Sequence, residues 1–186
     1  LRADRPDGRG YGGVALVVRD GISASSIKMP AAACPGSRLE TLWALVKPDN
    51  RRQFALCTVY RPPRHTVADL SADFADLQAQ FQHVRVNYPH LKLFICGDLN
   101  FCLLKRDMDP AKRTLSEFLS DNSLMQCVTS PTYFTGSLLD VFITSCREVV
   151  KCCFTKVCHF SPHKVVRAVI RITRSRPPPT VILSRS

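Results

Sequence analysis

Phe94-Ile95-Cys96-Gly97-Asp98-Leu99-Asn100 is the stretch whose reading decides the fold. From Leu91 to Cys96 the chain is largely apolar, which reads as a buried strand. The strand runs directly into Gly97-Asp98-Leu99-Asn100, so it delivers Asp98 to its own C-terminal end. Asn100 points the same way two residues on, because side chains alternate along an extended chain. A carboxylate at that place can bind a hard cation or orient a water, and an amide beside it can hold a phosphate oxygen or the nucleophile. Taken alone, the tetrad is better read as a turn in which Asp and Asn bond to the backbone.

Upstream, Thr66 starts a helix, with Asp69 three residues later as its capping-box partner. Leu70, Phe74, Leu77, Phe81 and Val84 follow at helical spacing and form one apolar stripe fit to face a sheet. Tyr88-Pro89 ends that helix. Further back, Leu39 to Val46 and Phe54 to Tyr60 read as two strands of a hairpin turned at Asp49-Asn50. Val14 to Val18 reads as a buried strand stopped by Asp20-Gly21, and the residues before it, through Gly8-Arg9-Gly10-Tyr11-Gly12-Gly13, are turn-like. Downstream, Asp109-Pro110 opens a second helix, with Asp as N-cap and Leu115, Phe118 and Leu119 facing inward. Strands are expected near Met125–Val128, Leu138–Thr144, Val149–Lys156 and Val165–Ile172. Many strands with two helices between them predict an α/β layered sandwich. The segment from Arg174, with Pro177-Pro178-Pro179, reads as a Pro-rich basic linker over 174–186, which leaves 1–173 as one domain.

The chain has 186 residues, 45% apolar and 22% charged, enough for one domain with a real core. No apolar run is long enough to span a bilayer, and the polar N-terminus does not read as a signal peptide, so no membrane partner is expected. The net charge is +11, and the forty residues from Arg147 hold nine Lys/Arg against one acid, Glu148. Such a surface favours polyanions; a solvated basic tail is the equal alternative from charge alone. The nine cysteines are scattered, several inside apolar runs, which fits a reducing intracellular setting better than a disulfide framework. Cys152, Cys153, Cys158 and His159 are the one cluster with ligand chemistry, but no second pair completes a zinc site.

Three further segments carry candidate chemistry. Asp140 interrupts the apolar run Ser137-Leu138-Leu139-Asp140-Val141-Phe142-Ile143, and a buried acid needs a partner. The attractive partner is His163 in Phe160-Ser161-Pro162-His163-Lys164, because a carboxylate on an imidazole fixes its tautomer and raises its basicity. The competing reading is an edge-strand Asp facing solvent and a structural His. Tyr60, at the strand end before Arg61-Pro62-Pro63, places a hydroxyl where it could reach a phosphate, or serves as a core or rim aromatic.

The order of these segments resembles the endonuclease/exonuclease/phosphatase superfamily, and more closely the apurinic-type endonuclease domain of non-LTR retrotransposons. Six segments carry the likeness: Arg5-Pro6-Asp7-Gly8-Arg9-Gly10 with Gly12-Gly13-Val14-Ala15, Leu39-Glu40-Thr41-Leu42-Trp43, Tyr60-Arg61-Pro62-Pro63, Gly97-Asp98-Leu99-Asn100, Ser130-Pro131-Thr132 with Ser137-Leu138-Leu139-Asp140, and Ser161 with His163. The resemblance implies a two-layer β-sandwich flanked by helices, with the active site at one rim. It implies that Tyr60 contacts the scissile phosphate, Asp98 orients the attacking water, Asn100 assists it or the phosphate, and Asp140 pairs with a phosphate-contacting His163. It also implies Mg²⁺ as cofactor, DNA as substrate, a reverse transcriptase domain in the parent protein, and a nuclear place of work, although no import signal is evident. Two departures qualify it. The family's strand with the metal-binding Glu precedes the Gly-Gly-Val-Ala strand, so the expectation is a fold lacking its N-terminal strands and that Glu. Glu40 matches a different family position and reads as structural or surface. Pro162 stands where the family commonly has an Asp that helps hold the metal. The resemblance therefore implies a DNA-nicking enzyme that is crippled in this chain. The alternatives are an inactive element remnant with weak nucleic-acid binding, or a phosphatase of the same superfamily.

Overall fold

The computed structural model describes residues 1–4, 12–30, 36–63, 66–104 and 109–172. The Pro-rich segment expected over 174–186, and most of the first quoted motif, lie outside the described residues. The strands are β1 (Arg2–Ala3), β2 (Val14–Ala15), β3 (Ser23–Ser26), β4 (Glu40–Asp49), β5 (Arg52–Tyr60), β6 (Lys92–Asp98), β7 (Met125–Gln126), β8 (Asp140–Thr144), β9 (Val150–Lys156) and β10 (Val165–Ile170). The helices are α1 (Val67–Asn87) and α2 (Pro110–Asp121).

A six-stranded sheet in the order β3-β4-β5-β6-β8-β7 forms the centre. All its pairings are antiparallel except β5 with β6, which run parallel. The connection between those two is α1, as a parallel crossover requires. The central strands are buried on both faces and feed two different cores. Trp43, Ala55, Leu93, Ile95, Val141 and Ile143 face α1 and α2, while Ala44, Val46, Phe54, Phe94 and Phe142 face the other way. Consecutive residues thus alternate between the two cores, as the pleat dictates.

On the helix side, Leu70, Phe74, Leu77, Phe81 and Val84 are buried in the predicted stripe. The capping box forms: the Thr66 hydroxyl accepts the Asp69 N–H at 3.2 Å, and the Thr66 N–H donates to the Asp69 carboxylate at 2.9 Å. Asp109 caps α2 by accepting the Ala111 N–H at 2.9 Å, with Pro110 in the first turn. On the other side the second layer is thin. It consists of the hairpin β9–β10, whose inner residues Cys153, Val166, Ala168 and Ile170 pack on the sheet, and of the short ladder β1–β2. The architecture is the α/β two-layer sandwich with helices that the sequence predicts, its second layer reduced to two pairs of strands among the described residues.

One expectation changes, and strand pairing decides two further points. The buried strand over Val14–Val18 shrinks to Val14–Ala15, and Val17 is 91% exposed, because β2 has only the two-residue β1 to pair with. Ser23–Ser26 forms the edge strand β3 despite a serine-rich sequence with no strand propensity; pairing with β4 overrides it. Asp140 does not sit on an edge strand, since β8 lies between β6 and β7.

Candidate active site

The parallel β5–β6 pair sets the frame. Tyr60 lies beside Asp98 in its register, and Asp98 lies directly opposite Asp140 across the antiparallel β6–β8 pair. Tyr60 in turn lies opposite Glu40 on β4. Glu40, Tyr60, Asp98 and Asp140 therefore form one row across four strands at the end of the sheet. The same alternation that separates the two cores turns this row toward the hairpin face. His163, just before β10, closes over the row from the second layer.

Gly97 is what allows the row to be so tight. Its φ is 145°, and a Cβ there would lie 1.8 Å from the Val59 carbonyl oxygen, so only glycine fits between β5 and β6 immediately before Asp98. After Asp98 the chain turns sharply. Asn100 takes a left-handed conformation with φ 53°, which Asn tolerates better than most residues. Its backbone N–H donates to Asp98 Oδ1 at 2.8 Å, and its side-chain amide donates to the Arg61 carbonyl at 2.8 Å. The Asp and Asn do bond to the backbone, as a turn reading requires, and the turn still presents the second Asp98 oxygen outward.

His163 Nδ1 lies 3.0 Å from Asp140 Oδ2, and His163 Nε2 lies 3.9 Å from Asp98 Oδ2. One imidazole thus addresses both carboxylates. Asp140 is held from behind: the fully buried Thr132 accepts the backbone N–H of Leu139 at 2.9 Å and of Asp140 at 3.0 Å through its hydroxyl. His163 is held through its backbone, where Tyr133 bridges it, and through its N–H to the Ser161 hydroxyl at 3.1 Å. The Tyr133 ring packs edge-on against the imidazole with centroids 4.8 Å apart.

Burial pushes the Asp98 carboxyl up to about 6, and the facing Asp140 adds to the rise; the Asn100 N–H and His163 partly offset it. A carboxyl so raised by burial beside a second carboxylate, at the mouth of a sheet, marks a candidate functional group. The ligand atoms of Asp98, Asp140 and His163 all lie within 4.8 Å of one another, the one such group among the described residues. Two carboxylate oxygens and an imidazole nitrogen fit a divalent cation, whose charge would relieve the strain on Asp98. Cys152, Cys153, Cys158 and His159 form no such group.

The sequence reading missed the supporting residues. Arg61 is buried and pairs with Asp73 of α1 at 2.9 Å, while its backbone N–H donates to the Asp98 carbonyl at 2.9 Å. It ties the end of β5, the Asp98 turn and the helix layer into one piece. The arginine next to Tyr60 was visible; that an acid inside a helical stripe would be its partner was not. Glu40 was expected to be structural or on the surface. It is buried, in line with Tyr60, and its carboxylate accepts the Gly13 N–H at 2.6 Å.

No family profile and no curated protein matches the chain at the level of sequence. Solved structures do share its fold. The catalytic domain of human Nocturnin, with bound sulfate anion, superposes with a TM-score of 0.59 at 15% identity, over 84% of this chain and 62% of that one. The Bacteroides thetaiotaomicron mannosyl-6-phosphatase gives 0.53 at 14% identity, over 70% and 56%. The catalytic domain of Xenopus laevis APE2 gives 0.51 at 15% identity, over 76% and 57%. The chain thus spans roughly three fifths of the length of these neighbours and shares their fold. No helix among the described residues is long and apolar enough to cross a membrane.

Proposed function

We propose that the row at the end of the sheet hydrolyses a phosphodiester bond with the help of a divalent cation, and that the bond belongs to DNA. The observation that carries this reading is the convergence of Asp98, Asp140 and His163 within 4.8 Å, with Tyr60 beside Asp98 in the β5–β6 register. In this reading Asp98, once ionised, accepts a proton from the attacking water, and the Asn100 amide fixes the turn that aims it. Asp140 holds the His163 imidazole so that Nε2 faces the phosphate, and the imidazole stabilises the charge that grows there. Tyr60 reaches the same phosphate from the neighbouring strand. A cation held by the Asp98 and Asp140 carboxylates, with His163 beside them, would neutralise the phosphate and the leaving oxygen. Mg²⁺ is the ion proposed, since carboxylate oxygens suit it.

The finer reading is the DNA-nicking domain of a non-LTR retrotransposon, working on nuclear DNA beside a reverse transcriptase in the parent protein. It is supported by the order of the six sequence segments and by the net charge of +11. Pro162 offers no carboxylate beside His163, so the rate is expected to be low. The test is nicking of supercoiled plasmid in Mg²⁺ by the chain and by Asp98→Ala. The expected result is weak nicking that falls on the order of 10²-fold or more in the variant, the scale for losing one group that acts in the transition state. Nicking equal in both, or none at any divalent-ion concentration, would refute the assignment.

A further inference from the structure

Among the described residues, two of the most exposed aromatic side chains lie in the two segments that carry or bridge the same histidine. Phe134 is 71% exposed and Phe160 is 95% exposed. Both belong to segments already tied to His163. Phe134 follows Tyr133, which bridges His163, and its N–H donates to the Pro162 carbonyl at 3.0 Å. Phe160 precedes Ser161, whose hydroxyl accepts the His163 N–H. Rings connect the imidazole to the solvent: His163 to Tyr133 at 4.8 Å, then Tyr133 to Phe134 at 4.8 Å with planes 52° apart. Single exposed apolar residues are ordinary on protein surfaces. A ring path that starts at the candidate phosphate-binding group and ends in the exposed ring of Phe134, with a second exposed ring at Phe160 three residues before His163, is a different matter.

The charge beside these rings selects what covers them. From Val149 to Ile172 the chain carries five Lys/Arg and no Asp or Glu. On the hairpin, Arg167 lies over the Phe154 ring at 5.8 Å, so cation and aromatic face occur together there as well. A second copy of this chain would bring like charges together. An anionic partner with flat apolar faces meets both features, and a nucleic-acid strand with unstacked bases has them.

We propose that Phe134 and Phe160 form an aromatic lip that stacks an unpaired base next to the bond being cut, so that the site prefers single-stranded or locally unpaired nucleic acid to an intact duplex. The inference rests on the phosphodiester reading above and narrows its substrate. Base faces in a duplex are covered by their neighbours, so a bare ring gains contact only where a base has left the stack.

The test is binding of a fluorescein-labelled single strand and its duplex in EDTA, where no hydrolysis intervenes. The variants are Phe134→Ala/Phe160→Ala and Phe134→Leu/Phe160→Leu. The full chain is expected to bind the single strand more tightly. The alanine pair is expected to lose about tenfold or more on the single strand and little on the duplex, since stacking adds per base without requiring sequence. The slope of affinity against salt is expected to stay unchanged, because no phosphate contact is removed. The leucine pair should lose as much as the alanine pair, because bulk without a flat face does not stack. Unchanged single-strand affinity, an equal loss on both substrates, or rescue by leucine would overturn the lip. Plasmid nicking that depends on Asp98 while the phenylalanine pair is dispensable for single-strand binding would overturn this inference alone. Absence of nicking with lip-dependent single-strand binding would overturn the catalytic reading and leave the lip standing.

Discussion

The two faces of the central sheet are covered in different ways. The helix face carries Trp43, Phe81, Leu93 and Ile95, all at 1% exposure or less, under two capped helices. Two of its buried polar pairs are Arg61 with Asp73 and the Trp43 indole with Gln80 at 3.0 Å, while one oxygen of the buried Asp76 in α1 has no partner. The hairpin face carries the candidate site under a second layer of short strands, and the outer side of that layer exposes Phe154, Val165 and Val169. One face is built to hold the sheet together. The other keeps a partly open rim where an ionisable group sits at a cost, the usual relation between stability and a working site.

The comparison breaks most directly at the Arg61–Asp73 pair. Asp73 is fully buried and also accepts the Arg38 N–H at 2.8 Å. Asp73→Asn leaves the guanidinium without its counter-charge in the helix-side core, which costs about 3–5 kcal/mol when a buried pair is broken from one side. Urea unfolding would show it. A loss under about 1 kcal/mol would mean that the helix face does not depend on this pair as its burial implies.

Most of the helix face was legible in the sequence, because its signals are local. The stripe from Leu70 to Val84 and the Thr66–Asp69 box are spacings within one element. The strands β4, β5 and β6 were equally plain as apolar runs. On the other face the legible part was the set of site residues, and the illegible part was everything that only pairing decides. Val14–Val18 looked like a strand, but strands persist only with partners, and β1 offers two residues. Asp140 left two readings open until β7 was seen to flank β8. That Glu40 shares a row with Tyr60 follows from the β4–β5 register, which no spacing along the chain encodes.

Asp98 reverses the sign of the usual result. Burial raises its carboxyl to about 6 from 3.8, so the folded protein binds the proton more tightly than the unfolded chain. The sign follows: its contribution to stability is full below pH 3.8 and is lost as pH rises through about 6. At pH 7 the ionised group therefore costs stability, and Asp98→Asn is expected to raise it by about 1–3 kcal/mol while removing activity. The gain should vanish near pH 4. Thermal melts of both proteins at the two pH values decide it. A variant less stable at pH 7 would mean that the site is more solvated than its geometry shows.

The smallest effect compares one chemical change on both faces. Val141 in β8 is 1% exposed and packs toward the helices, while Val166 in β10 packs inward from the hairpin and is only partly buried. Valine to alanine removes two methyl-sized groups in each case, and both residues lie in strands, so strand propensity changes alike. At Val141 the transfer loss is about 1.5 kcal/mol, and a cavity adds to it because the surroundings cannot collapse, giving about 2 kcal/mol. At Val166 part of the side chain already meets water and the hairpin can settle onto the space, so the loss is under about 1 kcal/mol. The difference of about 1 kcal/mol is measurable by paired urea titrations at a common slope. Equal losses would mean that β9–β10 is held to the sheet as firmly as the helices are. The row of Tyr60, Asp98 and Asp140 would then be clamped from both sides, and the rim near His163 would owe its openness to the loops around it rather than to a thin second layer.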